Sequence, residues 1–87
     1  MEPSGAFGVI LRRNREEKGF SQEKLAHNCG LDRTFISLLE RGLRQPSLAT
    51  VFNVADELGL TAAELVGQVE RYKKRSLRRA VTARTRA

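Results

Sequence analysis

The sequence predicts an all-α fold: a compact bundle of five short helices followed by a basic extension. Three observations predict it. Apolar residues recur at spacings of three and four, as in Phe7, Ile10 and Leu11 or Val51, Ala55 and Leu58. Glycine stands after the first four periodic stretches, at Gly19, Gly30, Gly42 and Gly59. Ser21, Asp32, Ser47 and Thr61 stand where helices would need a side-chain cap.

The elements follow in order. Helix one spans Ala6 to Lys18, its apolar residues set among arginines and glutamates, and ends at Gly19. Ser21 caps helix two, which runs from Gln22 to about Cys29 with Leu25, Ala26 and Cys29 on one face. Asp32 caps helix three, which ends near Arg41, and Gly42-Leu43-Arg44-Gln45-Pro46 reads as a loop because Pro46 disfavours a helical Gln45. Ser47 caps helix four, whose predicted core stripe is Leu48, Val51, Phe52, Ala55 and Leu58. Thr61-Ala62-Ala63-Glu64 is a capping box opening helix five, continued by Leu65, Val69 and Tyr72. Gly67 weakens that helix by roughly 1 kcal/mol relative to alanine. Beyond about Arg75 the many like charges and scarce apolar surface predict loss of order.

Composition narrows the function. Eighty-seven residues make one domain, with too little chain for a core and a deep enzyme pocket beside it. No nucleophile, base and acid set is visible, so no enzyme is expected. Lone Cys29 and lone His27 can build neither a disulfide nor a zinc site, so no metal or cofactor is expected and a reducing cytoplasm fits. No segment approaches the roughly 20 apolar residues that cross a bilayer, and no basic region precedes the short apolar run near the amino terminus. The expectation is a soluble, cytoplasmic protein that does not engage membranes. The net charge of +6 is unevenly spread: residues 1–66 carry −1 and residues 67–87 carry +7. That balance suits a polyanionic partner, with the tail either attracting phosphate nonspecifically or serving as solubilising charge.

The stretch 21–42, SQEKLAHNCGLDRTFISLLERG, holds two helical patterns joined by a glycine turn. Two short helices crossing steeply need a small residue where they touch, which Ala26 supplies. They also need a sharp bend, which Gly30 supplies, and an apolar anchor on the second helix, which Ile36 supplies. This is the layout of a helix-turn-helix. With Ile36 and Leu39 turned inward, Arg33, Thr34, Ser37, Leu38 and Arg41 face outward, a composition suited to base-pair edges. Arg33 can form a bidentate pair with guanine O6 and N7, and Thr34 and Ser37 are short donors and acceptors. Leu38 either presses on a thymine methyl or sits at the edge of the core, and Phe35 either packs or touches sugar and backbone. Gln22, at a helix N-terminus, would add a donor for a phosphate; an ordinary solvated glutamine is the alternative. Cys29 reads as a small buried hydrophobe and His27 as a solvated side chain.

SQEKLA, GLDRTFIS, LLERG and PSLATVFNVADELGL together resemble the lambdoid repressor and Cro family of XRE-type DNA-binding domains over residues 6–66. LDRTFIS is also similar to the recognition helix of short restriction-modification controller proteins. The resemblance implies a repressor-like five-helix DNA-binding domain, 1–66, with its helix-turn-helix at 21–42 and a basic extension, 67–87. It implies phosphate contacts from Gln22 and from Arg44 and Gln45 in the following loop, to which Arg41 is added as a neighbouring cation. It also implies an ion pair between Arg15 and Glu40, where two unrelated surface charges are the alternative. The expected function is a sequence-specific transcriptional regulator binding double-stranded DNA, with recognition helix 32–41 in the major groove. The family typically binds as symmetric dimers. Leu60, Leu65, Val66 and Val69 are candidate homodimer contacts, although apolar residues there could equally finish the monomer core. No sensor segment suggests a small-molecule effector. The rival reading is an antitoxin or adaptor whose domain mainly supports protein–protein contact.

Overall fold

The computed structural model describes the backbone of residues 2–86 and the side chains of residues 2–80. Five helices and no strand occur among them: α1 (Pro3–Glu17), α2 (Gln22–Cys29), α3 (Arg33–Glu40), α4 (Leu48–Glu57) and α5 (Ala62–Arg86). The caps form as the sequence predicts. Ser21 Oγ accepts from the Lys24 amide at 3.0 Å, Asp32 Oδ1 from Thr34 at 2.9 Å and Ser47 Oγ from Thr50 at 3.1 Å. Thr61 and Glu64 make the reciprocal capping box, at 3.0 and 3.2 Å.

The four turns close in the same way. The amides of Phe20, Leu31, Leu43 and Leu60 reach back to the carbonyls of Arg15, Ala26, Leu38 and Ala55, bonds of 2.9–3.1 Å that span six residues. Gly30 sits at φ +66° at the bend of the helix-turn-helix, where an L side chain would be strained. The apolar residue after each turn then folds onto the core at Phe20, Leu31 and Leu60, whereas Leu43 is 61% exposed.

The core joins Phe7, Ile10 and Leu11 of α1 to Leu25, Ala26, Ile36, Leu39, Val54, Leu58 and Leu65. α1 packs between α3 and α5, α2 packs on α3 and α4, and α4 closes on α5. Three expectations are corrected. α1 begins at Pro3 instead of Ala6, because proline is favoured in a helix's first turn, where its missing N–H is no loss. The buried face of α4 is Val51, Val54, Ala55 and Leu58; Leu48 and Phe52 flank it and are 71% and 54% exposed. The helical spacing at 51, 54/55 and 58 leaves positions 48 and 52 one step around the axis. Finally, α5 runs on past Arg75 as one helix, in keeping with the good helix propensity of Ala, Leu, Lys and Arg. It draws the molecule out to 47 × 24 × 23 Å. The side chains of residues 81–87, the distal part of the predicted basic extension, lie outside the described set.

Candidate nucleic-acid interface

The face of α3 opposite its buried residues is the centre of the site. Ile36 and Leu39 have no exposure, which fixes the helix's rotation. Thr34, across the axis from Ile36, is exposed, as is Arg33 in the first turn; Ser37 and Leu38 are half-buried, and Arg41, Arg44 and Gln45 are exposed just beyond the helix end. Leu38 is half-buried and shows part of its apolar surface to solvent. Phe35 packs against the core, and the Arg44 guanidinium lies 5.6 Å from its ring centroid, a cation–π contact that ties the following loop to α3.

Behind this face stands a network around Glu40. Arg15 donates from Nε to Glu40 Oε2 at 2.5 Å and from Nη2 to Oε1 at 3.0 Å, a bidentate pair with side-chain exposures of 10% and 3%. Arg15 Nη1 also donates to the Phe20 carbonyl at 2.7 Å, binding the turn before α2 into the same unit. The hydrogen bond to Glu40 raises the Arg15 pKa further above its ordinary value, outweighing the effect of burial. Gln22 Nε2 donates to Glu40 Oε1 at 3.0 Å. The residue expected at a phosphate thus also ties the start of α2 to the end of α3.

The predicted dimer residues are not alike. Leu65 is fully buried in the monomer core and offers a second chain no surface, because α5 needs it to anchor its first turn. Leu60 and Val69 are partly buried against that core, and only Val66, at 49% exposure, stands clear of it. Cys29 is buried, and loss of hydration pushes its thiol up to about 11, so it stays neutral at ordinary pH. His27 is exposed.

Two positioning residues escape the sequence reading. Gly8 lies where α1 crosses the end of α3: a Cβ there would fall 2.4 Å from the Leu39 carbonyl oxygen and 2.6 Å from that of Glu40. A glycine inside an otherwise helical pattern was the available signal. Asn53 Nδ2 donates to the Cys29 carbonyl at 2.8 Å, so α4 satisfies the C-terminus of α2 beside the recognition turn. An amide within the apolar run VFNVA marks it. Among the described residues no helix is long and apolar enough to cross a membrane, and no group of acidic, His or Cys side chains could hold a metal ion.

Comparison with known proteins agrees with this geometry. A family model described as helix-turn-helix matches residues 11–65. The HTH-type transcriptional regulator y4dJ of Sinorhizobium fredii is 41% identical over 66 residues, covering 76% of this chain and 86% of that protein. The clp gene regulator ClgR from Corynebacterium glutamicum has a similar structure at TM-score 0.92 and 25% identity, over 98% of this chain and 90% of that one. The restriction-modification controller protein C.Esp1396I, solved as a tetramer in complex with its natural 35 base-pair operator, matches at TM-score 0.75 and 25% identity, over 83% and 95% of the two chains.

Proposed function

Because this chain belongs to the XRE-type helix-turn-helix family, we propose that it is a sequence-specific DNA-binding transcriptional regulator whose α3 enters the major groove. The observation that carries this reading is the division of α3 into a buried face, Ile36 and Leu39, and an outward face headed by Arg33. Arg33 pairs with guanine, Thr34 and Ser37 reach neighbouring edges, and Leu38 presses on a thymine methyl. Gln22, Arg41, Arg44 and Gln45 hold flanking phosphates, which set register without reading sequence. The Arg15–Glu40 pair keeps α3 at its angle.

The regulator works as a homodimer on a two-fold operator with half-sites about one helical turn, roughly 34 Å, apart. The operator-bound assembly of the similar controller protein supports this. So does the exposed apolar surface at Leu48, Phe52 and Val66, larger side chains than a solvated helix face requires. Residues 1–66 form the DNA-binding domain, with its helix-turn-helix at 21–42, and 67–87 the basic extension. No catalytic step is involved, and the protein acts in the cytoplasm on nucleoid DNA.

Selection of bound duplexes from a random pool at moderate salt tests the reading. A two-fold symmetric motif is the expected result; uniform enrichment with no motif would overturn it and favour the adaptor role.

A further inference from the structure

Where α1 and α5 meet, their side chains line a basic concavity. On α5, Tyr72, Arg75, Ser76 and Arg79 stand at i, i+3, i+4 and i+7 and so share one helix face. Arg13 of α1 comes up against it, its guanidinium 5.7 Å from the Tyr72 ring centroid. These five side chains line a cavity of about 190 Å³.

The lining is chemically one-sided. Three guanidiniums and two hydroxyls meet there, and no carboxylate contributes. None of the three arginines is in an ion pair among the described residues; Arg13 also borders a neighbouring depression that Glu16, Glu17 and Glu40 line. Guanidinium has N–H donors and no acceptor, so such a set cannot satisfy itself, and its like charges repel until an anion sits between them. The hydroxyls of Tyr72 and Ser76 add donors that need no charge. Cation–π contact with Tyr72 holds Arg13 at the cavity without using up its outer N–H groups.

We propose that this pocket between α1 and α5 binds a phosphoryl oxyanion, gripped by Arg13, Arg75 and Arg79 and hydrogen-bonded by Tyr72 and Ser76. Arginine favours phosphate because its planar fork matches two oxygens at once. The same chemistry comes from two sources, a DNA backbone phosphate or a free phosphate-bearing ligand. Three cations match the double charge of a free phosphate more closely than the single charge of a backbone diester. The site stands whether or not α3 reads bases, since it shares no residue with that face.

The test is titration of the full chain with inorganic phosphate, followed by backbone and arginine side-chain NMR, with chloride at equal ionic strength as the reference. Saturable shifts at Arg13, Tyr72, Arg75, Ser76 and Arg79 are expected. Arg75→Gln with Arg79→Gln should weaken them on the order of tenfold, as should Arg13→Gln on the other helix, which serves if the α5 pair loses helicity. Lys74→Gln with Arg78→Gln removes equal charge one step around α5 and should leave the affinity nearly unchanged. Identical shifts with chloride, or equal weakening by both pairs, would overturn the site. Competition between phosphate and a short duplex identifies the backbone as the source; independent binding identifies a free phosphate-bearing ligand, and either result upholds the pocket.

Discussion

The two flanks of α1 are built on opposite principles. Toward α3 the contact is made by backbone and by a buried ion pair: Gly8 seats the Leu39 and Glu40 carbonyls, and Arg15 grips Glu40 in two places. Toward α5 the contact fades along the helix. It is sealed at Leu65, polar where Asn14 Nδ2 donates to Gln68 Oε1 at 2.7 Å, and half-exposed at Arg13 and Tyr72. A backbone seat admits one position, whereas stacked long side chains tolerate several. The first flank therefore fixes the angle of the recognition helix, and the second lets the basic arm be carried on the same core without constraining it.

The sharpest way to break that contrast is Glu40→Ala. It leaves Arg15 buried without its partner and should cost about 3 to 5 kcal/mol in urea denaturation. A loss below ~1 kcal/mol would mean that the pair behaves as an ordinary surface contact. Gly8→Ala comes next, because the new methyl meets two carbonyl oxygens that belong to a helix and cannot swing aside. A destabilisation of about 1 to 3 kcal/mol is expected. Equal stability of the two proteins would show that α1 and α3 separate freely.

Arg33→Ala probes what the rigid flank is for. Affinity for the selected operator should fall by about 1 to 3 kcal/mol while thermal stability is unchanged, and discrimination should relax at one base pair. Equal loss on every duplex would move Arg33 from base to phosphate. The smallest change belongs to the looser flank. Arg13→Ala should cost only about 0.5 to 1 kcal/mol, the scale of an exposed cation–π contact, when unfolding is followed by circular dichroism. A cost matching that of Glu40→Ala would erase the distinction between the flanks.

Much of this was legible in the chain because the signals are local. Ser21, Asp32, Ser47 and the Thr61/Glu64 box each act within three residues, so reading them needs no tertiary knowledge. Thr34 and Ile36, two residues apart, fall on opposite faces of α3 through helical period alone. What could not be read depends on partners distant in sequence. The choice between Phe52 and Val54 for the core of α4 is settled by where α2 and α5 lie, and both fit a three-to-four spacing. Leu65 fits a dimer contact or a core anchor equally well until α1 is placed beneath it. Gln22 was seen as a donor to phosphate, but its bond to Glu40 needs the approach of the α3 C-terminus, eighteen residues away.

The seat at Gly8 also bears on how such a protein changes over generations. Because α3 is gripped through its carbonyls and its inward side chains, none of Arg33, Thr34 and Ser37 is needed to hold it in place. On the proposed reading, the side chains that choose the binding site can be rewritten while the scaffold that carries them stays intact. A lineage starting from this fold can therefore acquire new target sequences through a few outward substitutions, without first accumulating mutations that restore folding.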